Sequence, residues 1–378
     1  MTDLATIPAP AAEDADTVDT LVAHEGTEVS LSDYRTVPLS ALPFTDLFMN
    51  QMGECRVRGV SVRDEASGKP KIEPLTHVDP TTLADLEALL SKVSERGERE
   101  REFTIRHDEV SYRVSRIDDQ TSTWYHLRKL ISPIPRLQHV CRDREVFRLL
   151  GQAGKPRQHG LILMSGPTGE GKTTSMFSIL QEYLLVYGDV GYTIEDPPEM
   201  DLSGAVGTNG QCYQIKVTDG DFQTKVTEAL RCRPRYIMMG EIRDSGAASE
   251  LLRAANSGHV VLSTIHAGTI PEAVQSLARY VAGTMDDELA RHLMASCLSL
   301  VINQRLIQTV SEDDTVRRFP RMEVMQVQGQ HGVQSKIRNG HYKQLESDVE
   351  QQSNERAERA KVAVREGRTR KSEARVAR

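Results

Sequence analysis

Apolar positions in this 378-residue chain follow two rhythms. In DPTTLADLEALLSKVSER, Leu83, Leu86, Leu89 and Leu90 share one face behind an Asp79-Pro80-Thr81 start, which predicts an amphipathic helix. REFTIRHDEVSYRVSRID then alternates around a turn. Phe103 and Ile105 lie on one arm and Val110, Tyr112 and Val114 on the other, which predicts a hairpin. A helix followed by antiparallel strands makes a small α+β domain over 38–132. SPIPRL, with prolines at 133 and 135, resists regular structure and reads as a linker over 133–138.

The second rhythm runs over 139–345. GLILMSG, VGYTIED, YIMMGE and HVVLSTIH are short, continuous apolar runs of strand type. TTSMFSILQEYLLVYG, DFQTKVTEALRC, GAASELLRAANSG and PEAVQSLARYVAG alternate with them at helical spacing. That alternation predicts an α/β domain with a buried, mainly parallel sheet wrapped on both faces. Residues 1–37 are acidic, rich in Ala and Pro and carry one basic residue, Arg35, so disorder is expected there. Residues 346–378 form a polar, basic tail. From Glu355 onward it holds nine Lys or Arg against four Glu, the pattern of a solvated helix or disorder. Contact with anionic headgroups is the sharper reading of that tail.

Composition narrows the class only modestly. With 38% hydrophobic and 27% charged residues the chain reads as globular. A net charge of −7 gives no reason to expect direct nucleic-acid binding. Cys55, Cys141, Cys212, Cys232 and Cys297 are scattered, as reduced thiols are, and form no metal or redox motif. No apolar run approaches the ~20 residues that span a bilayer, and the acidic N-terminus lacks signal-peptide features. A cytoplasmic location is expected, with peripheral docking at an inner-membrane complex left open.

Chemistry concentrates at strand ends. GPTGEGKT, Gly166–Thr173, matches G-x-x-x-x-G-K-[ST] between an apolar strand and a helix. Glycines let backbone N–H groups converge on phosphate, and the helix N-terminus favours negative charge. Gly166, Pro167, Thr168, Gly169, Glu170, Gly171, Lys172, Thr173 and Thr174 are the candidate nucleotide-binding residues. Lys172 is expected at the β/γ-phosphates, and Thr173 is expected to offer its hydroxyl to Mg²⁺. Glu170 is expected to point to solvent, where screening makes its charge cheap. YTIEDPPE places Glu195, Asp196 and Glu199 after a strand, where acids can hold Mg²⁺ or orient water. YIMMGEIRD carries Gly240 where many P-loop enzymes have aspartate, so Glu241 becomes the candidate to polarise water. GHVVLSTIHAG ends with Thr264 and His266 at a fourth strand end.

In that order, GPTGEGKT, TIEDPPE, IMMGEIRD and GHVVLSTIHA resemble the Walker A, Asp box, Walker B and His box of the secretion-ATPase superfamily. That superfamily comprises motors of type II and type IV secretion, type IV pili and conjugation. The likeness covers about residues 100 to 345. It implies a RecA-like P-loop ATPase domain behind a small PAS-like α+β domain, ATP and Mg²⁺ as cofactors, and a homo-hexamer working with inner-membrane secretion or pilus proteins. Residue by residue it implies that Lys172 binds phosphate, Glu195 is the Asp-box acid, Glu241 is the catalytic glutamate and His266 senses nucleotide state. Thr173, Glu195 and Glu241 are then the candidate metal ligands. YRVSR and HLRKL are similar to the segments that supply arginine fingers, which makes Arg113 and Arg128 the candidates here.

Three departures stand out. LRCRPRY places Arg233 and Arg235 where the family has acids, beside a retained Arg231. The first domain lacks the common SDLHL signature, and the segment after the core lacks the AIRNLIRE pattern of retraction motors. The long polar spacer and TSTWYHLRKL are more like the conjugative-transfer and Dot/Icm branch. The alternatives are a DNA-translocating ring ATPase, kept open by the arginine cluster, and a nucleotide-dependent scaffold with little turnover.

Overall fold

The computed structural model describes residues 39, 42, 44–63, 70–75, 80–217, 220–310 and 316–376, so the segment 1–37 read as disordered lies outside the described residues. The chain first builds a sheet from β1 (Asp46–Asn50), β2 (Cys55–Arg63) and β3 (Pro70–Pro74). After α1 (Pro80–Gly97) it adds β4 (Glu102–His107), β5 (Val110–Asp118) and β6 (Thr123–Lys129). The order is β3-β2-β1-β6-β5-β4, antiparallel throughout. Alternate residues turn inward: Leu47, Met49, Tyr112, Val114, Tyr125 and Leu127 are buried. From α1 the buried stripe is Leu86, Leu89 and Val93. Leu83, expected on that face, is half exposed. Spacings of three and four from Leu89 centre the stripe on 86, 89 and 93, which leaves Leu83 at its margin.

The segment read as a linker is anchored. Ile134, between the two prolines, and Leu137, just after them, are buried. Arg136 donates twice to the buried Glu182 carboxylate, at 2.9 and 2.6 Å, in the bidentate geometry that fixes orientation as well as charge. Two short helices follow, α2 (Leu137–Val140) and α3 (Arg144–Ala153), the latter capped by Asp143 accepting from the N–H groups of Glu145 and Val146.

The second sheet starts with β7 (Gly160–Ser165), α4 (Lys172–Tyr187), β8 (Asp189–Glu195), β9 (Gly204–Val206), β10 (Gly210–Lys216), α5 (Phe222–Arg231), β11 (Tyr236–Met239), α6 (Ser245–Asn256) and β12 (Val260–Ile265). It continues with α7 (Ile270–Ala282), α8 (Asp287–Cys297), β13 (Leu298–Val310), β14 (Val316–Gln326), α9 (His331–Arg338) and α10 (Leu345–Val376). Its order is β14-β13-β7-β12-β11-β8-β10-β9, parallel except for the two edge pairs. Every residue of β7, β11 and β12 is buried, because α3 and α4 pack on one face and α5 to α8 on the other. That double burial is why these strands read as continuous apolar runs rather than alternating ones.

The four strands and four helices expected over 160–283 occur within a residue or two of those segments. The tail differs from a loose appendage. The backbone is helical to Val376, Leu345, Val349 and Arg356 are buried, and Gln352 exchanges hydrogen bonds with the backbone of Gln326. Among the described residues no helix is long and apolar enough to cross a membrane.

Candidate active site

Strand β12 lies between β7 and β11, so the loop after β7 and the segment after β11 emerge on either side of the His266 segment at the carboxyl edge of the sheet. Gly166 leaves β7 at φ +149°, packed against the backbone of β13, and α4 begins at Lys172. Lys172 is 8% exposed, and its Nζ donates to the carbonyls of Gly166 (2.8 Å) and Pro167 (2.7 Å). Burial pulls its pKa down, and the negative charges of Glu241 and Glu170 pull it partly back.

Glu170 departs from the sequence reading. Its carboxylate does not face solvent but accepts the N–H of Leu306 on β13, while Gln304 Nε2 donates to the Glu170 carbonyl at 2.6 Å. The acid thus fastens the tip of the phosphate loop to the neighbouring strand. A charge-assisted hydrogen bond of this kind is worth ~1.5–3 kcal/mol. Glu170→Ser is expected to weaken nucleotide binding by about tenfold in equilibrium titration. An unchanged affinity would mean that the loop keeps its shape without this tie.

Glu195 closes β8 and is 3% exposed. It accepts from Thr193 Oγ1 (2.6 Å), Gln214 Nε2 (3.1 Å) and the Glu199 N–H (3.3 Å). Burial pushes its pKa up to about 7, and the hydrogen bonds from Thr193, Gln214 and Glu199 hold it from rising further. The folded chain therefore keeps this proton where the unfolded chain, near 4.5, has lost it. Stability of the metal-free protein should fall as pH rises from about 4.5 to about 7, by on the order of 3 kcal/mol. Glu195→Gln should flatten that slope in urea unfolding at pH 5 and pH 8, and an equal slope in both proteins would contradict it.

Glu241 is positioned by backbone on both sides. Gly240 N donates to Ile194 O on β8 (3.1 Å), Thr264 Oγ1 donates to Gly240 O (2.6 Å), and Ile242 N donates to Thr264 O (2.9 Å). The Glu241 carboxylate then lies between two cations or donors, Arg243 Nε at 2.9 Å and His266 Nε2 at 2.9 Å. The structure thus brings His266 onto Glu241. Thr173, Glu195 and Glu241 offer one hydroxyl and two carboxylates, an all-oxygen donor set that suits the hard Mg²⁺ ion.

Arg113 and Arg128 are directly opposed across β5 and β6. Arg113 is half-buried, Arg128 is exposed, and neither has a hydrogen bond or ion pair among the described residues. Like charges held opposite one another are unfavourable unless an anion joins them. Of the arginine cluster, Arg231 and Arg233 are exposed, but Arg235 donates to the carbonyls of Lys155 and Gln158, both at 2.6 Å. Arg235 is thus a structural clamp, which weakens the cluster as a track for nucleic acid.

Sequence reasoning missed the layer behind the loop. Asn303 Nδ2 donates to Ser165 Oγ (3.0 Å), Ser165 Oγ donates to Ile302 O (3.0 Å), and Arg305 Nη2 donates to Gly268 O (3.0 Å). These contacts tie the phosphate loop and the His266 loop to β13. The available signal was the polar run Asn303-Gln304-Arg305 inside an otherwise apolar strand.

A family model described as "Type II/IV secretion system protein" matches residues 102–376. "Type II secretion system ATPase E" of Vibrio cholerae is 36% identical over 157 residues, covering 42% of this chain and 29% of that protein. "Type IV pilus assembly ATPase TfpB" of Acinetobacter baylyi is 35% identical over 180 residues, covering 45% and 30%. The chain thus spans about a third or less of the length of these curated relatives. Among solved structures, the pilus retraction motor PilT with bound ADP superposes with a TM-score of 0.64 at 24% identity, covering 81% of this chain and 85% of that one. The ATPase DotB of Legionella pneumophila gives 0.60 at 21%, covering 84% and 87%. These likenesses identify the second sheet and its helices as a RecA-like fold. With the matched model spanning most of its length, the chain belongs to the type II/IV secretion ATPase superfamily.

Proposed function

We propose that the chain binds Mg·ATP on the loop Gly166–Thr174, hydrolyses it, and works as a hexameric ring that powers a type IV secretion, conjugative-transfer or type IV pilus machine at the inner membrane. The observation that carries this reading is Glu241, held by His266 and Arg243 one strand away from β7 and near enough for its charge to act on Lys172. Loop amides and Lys172 bind the β/γ-phosphates. Glu241 orients the attacking water and takes its proton, with His266 and Arg243 fixing the carboxylate's direction. Thr173, Glu195 and Glu241 would hold Mg²⁺, which would supply charge neutralisation at the phosphates. Arg113 and Arg128, an unneutralised pair on the first sheet, meet the γ-phosphate charge when that sheet closes over the loop, and closure and reopening become movement.

The test is Mg²⁺-dependent ATP turnover by the full chain, with ring size read by native mass spectrometry in the same samples. Arg113→Ala and Arg128→Ala should each lower turnover by about 10²- to 10³-fold while ATP affinity moves far less. Turnover in both variants equal to the parent would remove the arginines from the reaction. Binding without turnover in the parent chain would favour the scaffold reading, and strong stimulation by DNA would favour a DNA-translocating ring.

A further inference from the structure

Gln304 faces the phosphate loop, and its neighbours Asn303 and Arg305 turn to the other face of β13. There they line a separate cleft of about 580 Å³, bordered by β14, α10 and the segment entering α3. Four guanidinium groups line it: Arg142, Arg305, Arg321 and Arg356. Against them stand two acids, Asp143 and Glu323, and Asp143 is already engaged in capping α3.

Arg356 is the decisive residue. It is only 7% exposed, and it makes no hydrogen bond or ion pair among the described residues. Burial draws its pKa below the ordinary value. Asp143, Glu323 and Glu145 offset part of that effect, and Arg359 opposes them. The Arg356 guanidinium carries five donors that no protein acceptor among the described residues takes up, so they are free to meet the oxygens of a ligand in the cleft. The Arg142 guanidinium is itself held in place, stacked over the Phe319 ring at 4.3 Å. The volume falls in the usual range for small-molecule sites.

We propose that this cleft is a second anion site, which takes a small phosphate-bearing ligand on Arg356 with Arg321 and Arg142. Several planar forks converging on one cavity suit the multiple oxygens of a phosphate. The site is wired to the first. Arg305 holds the Gly268 carbonyl, two residues beyond His266, and Asn303 holds Ser165 at the root of the phosphate loop. Occupancy of the cleft therefore bears on both loops of the active site.

The test is calorimetric titration of the full chain with inorganic pyrophosphate in a Lys172→Ala background, which disables the phosphate loop. A binding event should persist there, and Arg356→Gln should weaken it at least tenfold. Arg321→Gln, at an exposed position, should weaken it in the same direction. Co-sedimentation with phosphatidylglycerol against phosphatidylcholine vesicles distinguishes the sources. Loss of sedimentation in the arginine variants assigns a lipid headgroup, and unchanged sedimentation with lost pyrophosphate binding assigns a free ligand. Pyrophosphate and vesicle binding that are both absent, or both indifferent to the two substitutions, would overturn the proposal.

Discussion

Glu241→Gln is expected to lower ATP turnover by about 10³-fold, within the 10²–10⁴ range for loss of a positioned general base, while ATP affinity and ring size stay within a few-fold of the parent. The substitution is nearly isosteric, so a glutamine carbonyl can still accept from Arg243 and the backbone ties at Gly240, Ile242 and Thr264 are untouched. The lost property is the capacity to take a proton from water. A fall in turnover with binding retained assigns the chemistry to this carboxylate. Equal rates would leave Glu241 as a partner of His266 and Arg243 with a structural role only. If binding and turnover fell together, the negative charge would be needed to hold the loop, and the base would have to be sought elsewhere, with Glu195 the nearest candidate. Single-turnover measurements beside equilibrium titration separate these outcomes.

What was legible in the sequence was local. The phosphate loop, the acids after β8, Glu241 and His266 each sit a few residues beyond an apolar run, so strand ends and motif spacing located them without knowledge of partners. The central strands were legible for the same reason, since burial on both faces leaves an uninterrupted apolar signature. What escaped depends on pairing across the chain. Gln304 meets Glu170 and Asn303 meets Ser165 from more than a hundred residues away, and nothing in either segment announces the other. Glu170 reads as solvent-facing because a phosphate loop works through its main chain and screening makes an exposed charge cheap, whereas its partner is the backbone N–H of the distant Leu306. The β13–β14 ribbon and α10 were not anticipated as packed elements. Leu300, Val301 and Ile302 of β13 and Val324 and Met325 of β14 are buried in the core, but the polar residues that interrupt both segments hide that from the sequence, and the pairing of the two strands is set by register.

Gly166→Ala tests that long-range contact at its tightest point, and it should cost about 2–5 kcal/mol of stability and abolish measurable ATP binding. A Cβ placed there would lie 2.4 Å from the backbone carbonyl oxygen of Gln304, and backbone cannot swing aside as a side-chain tip can. The residue also sits at φ +149°, which L side chains rarely adopt. Strain at such a position costs ~1–2 kcal/mol, and overpacking against an immovable neighbour adds ~1–3. Gly169→Ala is the control. Gly169 too has positive φ, +85°, but nothing lies within 4 Å of its Cβ position, so that variant should show the conformational cost alone, ~1–2 kcal/mol. Urea midpoints for the two variants, read beside nucleotide titrations, separate strain from collision. A much larger loss at Gly166 establishes that β13 sets the shape of the phosphate loop. Equal losses would mean that the loop carries its own conformation and that the ties to Gln304 and Leu306 are incidental.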